Sequence, residues 1–184
     1  MATARYVALL RGINVGGRNS VPMADLRAAF ESAGHTDVRT YIQSGNVLFS
    51  SDSPRAQLED AVETALREQF GVTVVVLRSH RQLRNVVARA PDGFGSRPGT
   101  HHSDVMFLRE PLTSRRVMRV LERREGVDRA WPGTGVVYFE RLSARRTQSR
   151  MSRITDTAEY ARMTIRNWNT TTKLLSLLDE SRTG

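Results

Sequence analysis

The sequence predicts an α+β protein with two subdomains, each holding an antiparallel sheet in the split β-α-β order, and a C-terminal helix. The first observation is that the apolar pattern of residues 1–78 switches between strand and helix periods in the order β-α-β-β-α-β. The second is that most of this order, β-α-β-β-α, returns over residues 104–163 after a segment rich in glycine and proline. Both halves therefore follow the element order of a ferredoxin-like fold.

Each element of the first half carries a local signal. Apolar, β-branched runs predict the strands, and apolar side chains at helical spacing predict the helices. Pro22 and Pro54 suit the start of a helix, and Gly34 and Gly71 suit the left-handed residue that ends one. In order, the predicted elements are a strand at 5–11, a helix at 23–33, strands at 37–43 and 46–50 around the turn Ser44-Gly45, a helix behind Pro54 that ends at Phe70, a strand at 72–77 and a short helix after Ser79.

The second half repeats the pattern without repeating the residues. Its predicted elements are a strand at 104–110, a helix at 113–124, a short strand at 126–131, a strand at 136–142, a helix at 149–163 and a final helix at 169–178. We therefore predict a first subdomain at residues 1–90, a linker at 91–102, and a second subdomain with the C-terminal helix at 103–184.

Composition excludes several classes of protein. The chain has 184 residues and no cysteine, which rules out disulfides, thiolate metal sites and a cysteine nucleophile. It has no apolar run of about 18 residues that would span a membrane. The first residues lack the long apolar stretch of a signal peptide, so we expect a cytoplasmic protein without a membrane partner.

The charge is basic and uneven. The chain carries 28 basic against 19 acidic side chains, a net charge of +9. Residues 1–95 contribute +2 and residues 96–184 contribute +7, and the stretch from Arg141 to Arg166 holds seven arginines against Asp156 and Glu159. Such a stretch attracts phosphate. The alternative is a solvated arginine-rich surface that reflects the codon usage of a GC-rich genome.

The first candidate site is the loop after the first strand. It reads Arg11-Gly-Ile-Asn-Val-Gly-Gly-Arg18 and precedes a predicted helix, where backbone N–H groups can hold an anion. Arg11, Gly12, Asn14, Gly16 and Gly17 are the candidate ligand residues. The loop is neither a G-x-G-x-x-G loop nor a P-loop, so an ordinary strand-to-helix connection is the alternative.

The second candidate site is the hairpin segment Arg39-Thr-Tyr-Ile-Gln-Ser-Gly-Asn46. In a strand of period two, Arg39, Tyr41 and Gln43 share one face, and Val38 and Ile42 should face the helices. An arginine, an aromatic ring and an amide on one face can grip a phosphate and stack a base. We add to this group the two turn residues Ser44 and Asn46. An ordinary polar sheet face or subdomain interface is the alternative.

The third candidate site is Thr164-Ile-Arg-Asn-Trp-Asn-Thr170. Asn169 or Thr170 can cap the last helix, and Trp168 can pack in the core while its N–H finds an acceptor. These roles leave Arg166 and Asn167 unexplained. Arg166, Asn167, Trp168 and Asn169 are therefore candidate ligand residues.

No metal, cofactor or catalytic group is predicted. His101 and His102 are adjacent, and adjacent residues of a strand point to opposite faces, which is poor geometry for one metal ion. The sequence has no G-x-S-x-G elbow, and Ser44 has no visible partnering base.

The motifs resemble a known family. The runs 10–17, 21–26 and 38–47, together with the tail 164–170 followed by Lys173-Leu-Leu175, are similar to the family called domain of unknown function 1697. The resemblance covers nearly the whole chain. It implies a bacterial cytoplasmic protein of two α+β subdomains related to the ferredoxin-like arrangement, and it implies no established activity.

Together these observations predict a protein that binds a phosphate-bearing ligand, a nucleotide or a nucleic acid, in a basic cleft between the subdomains. Arg11, Asn14, Gly16 and Gly17 would take the phosphate, Tyr41 would stack, and Arg166 with Asn167 would complete the cleft. One alternative is an enzyme of unknown reaction that uses the same cleft. The other is a structural or interaction protein whose polar motifs hold the subdomains together. The sequence leaves open the ligand, any reaction and the oligomeric state.

Overall fold

The computed structural model describes residues 3–17, 19–43 and 45–180. Contacts between residues divide the chain into two compact units. Unit 1 contains the described residues up to Arg84 and those from Leu174 onward, and unit 2 is Asn85–Lys173. The predicted boundaries differ, because they placed residues 85–90 in the first subdomain and the whole C-terminal helix in the second.

Unit 1 has the ferredoxin-like arrangement. Its elements are β1 (Ala4–Arg11), α1 (Met23–Ser32), β2 (Thr36–Tyr41), β3 (Asn46–Ser51), α2 (Arg55–Phe70), β4 (Val74–Ser79) and the start of α3 (His80–Ala88). The strands form one antiparallel sheet in the order β2-β3-β1-β4. The β-α-β-β-α-β order predicted for the first half is confirmed.

The core of unit 1 lies between this sheet and α1 and α2. Alternate residues of β1 enter it, since Tyr6, Ala8 and Leu10 are buried against apolar side chains of the helices. Leu26 of α1 and Leu58 of α2 are among these helix residues. Full burial of each large apolar side chain contributes about 1.5–3 kcal/mol, which explains why this periodicity was readable from the sequence.

Helix α2 also covers the edge strand β4. The Glu63 carboxylate accepts from the backbone N–H of Val75 at 2.9 Å, and the Glu59 carboxylate accepts from that of Leu77 at 2.8 Å. Arg67 and Arg55 pair with these two carboxylates. The contacts satisfy N–H groups that an edge strand would otherwise leave open to another chain.

Unit 2 repeats the arrangement of unit 1. Its elements are β5 (His101–Leu108), α4 (Ser114–Val120), β6 (Asp128–Gly133), β7 (Val136–Leu142), the 3₁₀ helices Ser143–Gln148, Met151–Asp156 and Ala158–Arg162, β8 (Met163–Asn167) and the start of α5 (Trp168–Asp179). The antiparallel sheet has the order β6-β7-β5-β8, which matches unit 1 strand for strand. The fold is therefore α+β, with two ferredoxin-like sheets and a C-terminal helix.

The predicted helix at 149–163 is wrong in type. The segment forms short 3₁₀ helices, in which residues three apart share a face, and Met151 and Ile154 are buried at that spacing. The Thr155 and Thr157 hydroxyls donate to carbonyls three residues back. Such bonds compete with a continuous α-helix. Strand β8 was not predicted, because a strand of five residues with Arg166 inside it has no clear apolar alternation.

The predicted linker is part of unit 2. Phe94 is buried and its ring meets those of Trp131, Tyr138 and Trp168 edge to face, with centroids 6.1, 5.3 and 5.1 Å away. Strand β5 begins at His101, inside the predicted linker. Glycine and proline thus mark a packed irregular segment here.

Within the described residues, no helix has both the length and the apolar character needed to cross a membrane.

The end of α5 packs in unit 1. Leu174 and Leu178 are buried, the Arg39 guanidinium donates to the Leu177 carbonyl at 2.7 Å, and that of Arg5 donates to the Glu180 carbonyl at 3.3 Å. Arginines at a helix C-terminus satisfy its last carbonyls and complement its dipole. These contacts are the physical reason that this part of the helix groups with unit 1.

Candidate functional site

The first two predicted motifs meet at one end of the sheet in unit 1. The Asn14 side chain lies in the loop between β1 and α1, and its Nδ2 donates to the Gln43 carbonyl in the β2–β3 turn at 2.9 Å. The same side chain bonds both backbone groups of Val21, and the Leu10 N–H donates to the Gly45 carbonyl at 2.8 Å. The loop and the turn therefore form one connected surface.

The loop glycines have two different roles. Gly12 has φ +95°, and a Cβ there would lie 2.7 Å from Thr73 Oγ1, so this glycine permits a close approach of two segments. Gly16 and Gly17 have φ +58° and +73° with open space around them, and both are exposed. The Arg11 carbonyl accepts from the Thr73 N–H and hydroxyl at 3.0 Å each. The loop thus presents an accessible backbone at Gly16 and Gly17.

Among the predicted site residues of this segment, Arg39 of strand β2 makes a structural contact. Arg39 pairs with Glu180 at 2.9 Å, and both line a cavity of about 250 Å³ with Arg5 and Asp37. Val38 is buried in the core as predicted.

The end of β2 differs from the prediction. Ile42 was expected to face the helices, but the strand ends at Tyr41, and Ile42 has φ +49° with 49% of its surface exposed. Asn46 is fully buried and donates from Nδ2 to the carbonyl of the half-buried Tyr41 at 3.0 Å. Ser44 lies outside the described residues.

The third motif belongs to unit 2 and is largely explained by packing. Arg166 is 8% exposed, and its guanidinium donates to Thr164 Oγ1 at 2.7 Å and to the Ile165 carbonyl at 2.8 Å. Burial lowers the pKa of Arg166 to about 10. Asn167 Oδ1 accepts from the Thr170 N–H at 2.7 Å, so Asn167 caps α5 in place of the expected Asn169 or Thr170.

A polar hollow in unit 2 joins this motif to β5. The register places Asp104 opposite Asn167, so the start of β5 lies beside the end of β8. The hollow measures about 110 Å³, and its polar and aromatic lining comes from His101, His102, Ser103, Asn167, Trp168 and Asn169. Sequence reasoning missed it, because the two histidines lie far along the chain from the asparagines and no local pattern links them.

His102 is positioned by a buried carboxylate. Its Nε2 lies 3.3 Å from Oδ1 of Asp104, whose other oxygen is 3.6 Å from the Arg141 guanidinium. Burial raises the pKa of Asp104, although His102 and Arg141 oppose the shift. Among the described residues, no group of three or more histidine, cysteine or acidic side chains could hold a metal ion.

Most of the charge lies in unit 2. This unit has 17 basic and 9 acidic residues, a net charge of +8, whereas the rest of the chain has 11 basic and 10 acidic residues.

Ten exposed arginines lie on α4, on the turn after it and along the segment of 3₁₀ helices. We call them the arginine layer: Arg115, Arg116, Arg119, Arg123, Arg124, Arg145, Arg146, Arg150, Arg153 and Arg162. The stretch 141–166 indicated half of this layer, and the α4 arginines were missed.

The segments that carry the arginine layer share one core and are joined by ion pairs. Val117 of α4 and Met151 and Ile154 of the 3₁₀ helices share the core on one face of the unit 2 sheet. Ion pairs cross from α4 to the 3₁₀ helices, since Arg116 contacts Glu159 at 2.6 Å. Residues 113–124 and 143–162 together carry ten arginines against three acidic residues, a net charge of +7.

Comparison with known proteins gives a family without an activity. Residues 3–138 match the family described as "Protein of unknown function (DUF1697)". The chain belongs to this family. A solved structure of a conserved bacterial protein from Streptococcus pneumoniae matches with a TM-score of 0.83 and 27% identity, over 97% of this chain and 100% of the other. No curated protein matches significantly. The two-unit fold is thus shared with that bacterial protein.

Proposed function

We propose that the chain binds a phosphate-bearing ligand, and that this ligand is a nucleic acid held by the arginine layer of unit 2. The observation that carries the proposal is the net charge of +7 on the two segments, 113–124 and 143–162, that present the exposed arginines of the layer. A protein that neutralises several phosphates gains affinity by releasing condensed counterions. A polymer of phosphates can engage many arginines of such a layer at once, whereas a mononucleotide engages few.

Several arginines of the layer are available for such contacts. Five of them are exposed and have no acidic partner among the residues that the structure describes: Arg115, Arg119, Arg123, Arg145 and Arg146. Other layer members already share partners, since Arg150 and Arg153 both contact Glu122. Exposed unpaired arginines lose little by exchanging water for phosphate oxygens, and their planar heads form two hydrogen bonds to one phosphate.

The glycine loop of unit 1 is proposed as an anion contact of its own, separate from the arginine layer. Gly16 and Gly17 expose backbone in a left-handed conformation, and such loops can direct N–H groups to an anion. Arg166 supports unit 2 from within, because its guanidinium is buried and donates hydrogen bonds to Thr164 and Ile165.

The salt dependence of binding tests the proposal. Binding of a fluorescent single-stranded RNA is measured between about 50 and 200 mM salt for the wild type and for R145Q/R146Q. Each lost phosphate contact on a single strand makes the negative slope of log affinity against log salt shallower by about 0.7. The slope of the double variant should therefore be shallower than that of the wild type by about 1.4. Neither arginine side chain has a partner among the described residues, so the variant should fold normally.

The matched control removes two charges from unit 1. Arg27 and Arg81 are exposed on α1 and α3, and R27Q/R81Q lowers the net charge by the same amount. This control should keep the wild-type slope. Equal slopes for the two double variants, or no binding of the wild type at about 50 mM salt, would refute the arginine layer as the binding surface.

A further inference from the structure

The hollow and the arginine layer meet at one edge of unit 2. The Ser143 N–H donates to the Thr100 carbonyl at 2.9 Å, and His101 pairs with Leu142 in the sheet. The 3₁₀ helix Ser143–Gln148, which carries two unpartnered arginines of the layer, therefore starts directly beside the histidines of the hollow. A phosphate held by that helix would leave the adjoining base close to the hollow.

The lining of the hollow has the chemistry that recognises a base. Asn169 is exposed and has an amide with no partner among the described residues. The cap fixes the Asn167 amide, because its Oδ1 accepts from Thr170 and its Nδ2 is left as a donor. Amides of this kind pair with base edges, and aromatic rings stack on bases.

The rings of the hollow are held in place. A Cβ on Gly95 would lie 2.0 Å from Cδ1 of Trp168, so the indole rests directly on the backbone of the irregular segment. The Phe94 ring meets the same indole edge to face. His102 is held by the buried Asp104 carboxylate. A site whose rings and amides are already positioned loses less conformational freedom when a ligand binds.

We propose that the hollow takes one unpaired base of the nucleic acid that the arginine layer holds. The inference rests on the proposed function and adds the class of substrate, which is a single strand. A hollow of about 110 Å³ is small, and a base can enter it only when the base is free of its partner strand.

Three probes of equal length separate the base from the phosphates: a single-stranded RNA, the duplex of the same sequence, and a strand with the same backbone but no bases. Stacking and edge contacts at one base should make the single strand bind about tenfold more tightly than the abasic strand. The duplex offers no unpaired base, so its affinity should not depend on the hollow, and Asn169→Ala should leave it unchanged. Equal binding of the first and third probes would overturn the base site and leave phosphate binding intact.

The variant that reports on the hollow is Asn169→Ala, with Asn85→Ala as the matched control on an exposed residue of α3. N169A should lower the ratio of single-strand to abasic affinity without changing the salt slope. N85A should keep both. Asn169→Asp, which keeps the shape of the side chain and adds a negative charge, should lower the ratio as well. An unchanged ratio in both Asn169 variants would refute the assignment, and absence of binding to all probes would refute the proposed function itself.

Discussion

A methyl group added to Gly95 should distort the hollow, and Gly93 supplies a control two residues away. Both glycines have a left-handed backbone, with φ +72° and +74°. They differ in the space for a side chain. A Cβ at Gly95 would lie 2.0 Å from the Trp168 ring, whereas at Gly93 the nearest heavy atom is Ser96 Oγ at 3.7 Å. Any difference between the two alanine variants therefore measures the contact with the indole.

The expected magnitudes follow from this geometry. A non-glycine residue in the left-handed region costs about 1–2 kcal/mol, and both variants lose this amount of unfolding free energy. Overpacking against a ring that is already packed costs about 1–3 kcal/mol more, and only G95A pays it. The ring is also held by Phe94 at a centroid distance of 5.1 Å, so it cannot move without losing that contact.

Thermal and denaturant unfolding measure both variants. Each kcal/mol lowers the melting temperature of a chain of this size by about 2–4 °C, so G95A should melt several degrees below G93A. G95A should also lose the preference for base-bearing strands, because Trp168 lines the hollow. If G95A and G93A are destabilised equally, within about 0.5 kcal/mol, the close packing of Gly95 on the indole is refuted.

Two further predictions concern buried polar side chains of unit 2. Arg166→Ala should lower the free energy of unfolding by about 2–5 kcal/mol, because it leaves a cavity and unpaired acceptors. R162A, at an exposed position, should change the free energy of unfolding by less than about 1 kcal/mol. Similar values for the two variants would contradict the buried role of Arg166. Tyr138→Phe removes the 2.6 Å hydrogen bond to the Val86 carbonyl and should cost about 1 kcal/mol near neutral pH. Burial raises the pKa of Tyr138 to about 12, so above its ordinary pKa of 10.0 ionisation favours the unfolded wild type. The stability advantage of the wild type over Y138F should therefore fall, and then reverse, as the pH rises from about 10 to about 12, and an advantage that increases would contradict this environment.

Local patterns in the sequence were enough for most of unit 1. The strand at 5–11, the helix behind Pro54 and the hairpin around residues 44–45 all have apolar residues at regular spacing, and burial of those residues is what stabilises them. The same patterns correctly indicated a second antiparallel sheet, but without its fourth strand, β8. They also indicated the glycine loop and the hairpin turn, which the structure brings together through Asn14.

Only the tertiary structure established strand β8, the hollow and the arginine layer. β8 exists because residues 163–167 pair with β5, and the gain comes from hydrogen bonds to residues about sixty positions earlier. That pairing buries Arg166, leaves Asn167 to cap α5 and places His101 and His102 beside Asn169. Periodicity reports which face of an element is buried, whereas the choice between distant partners depends on which pairing satisfies the most backbone groups and buries the most apolar surface. No local stretch of sequence contains that comparison.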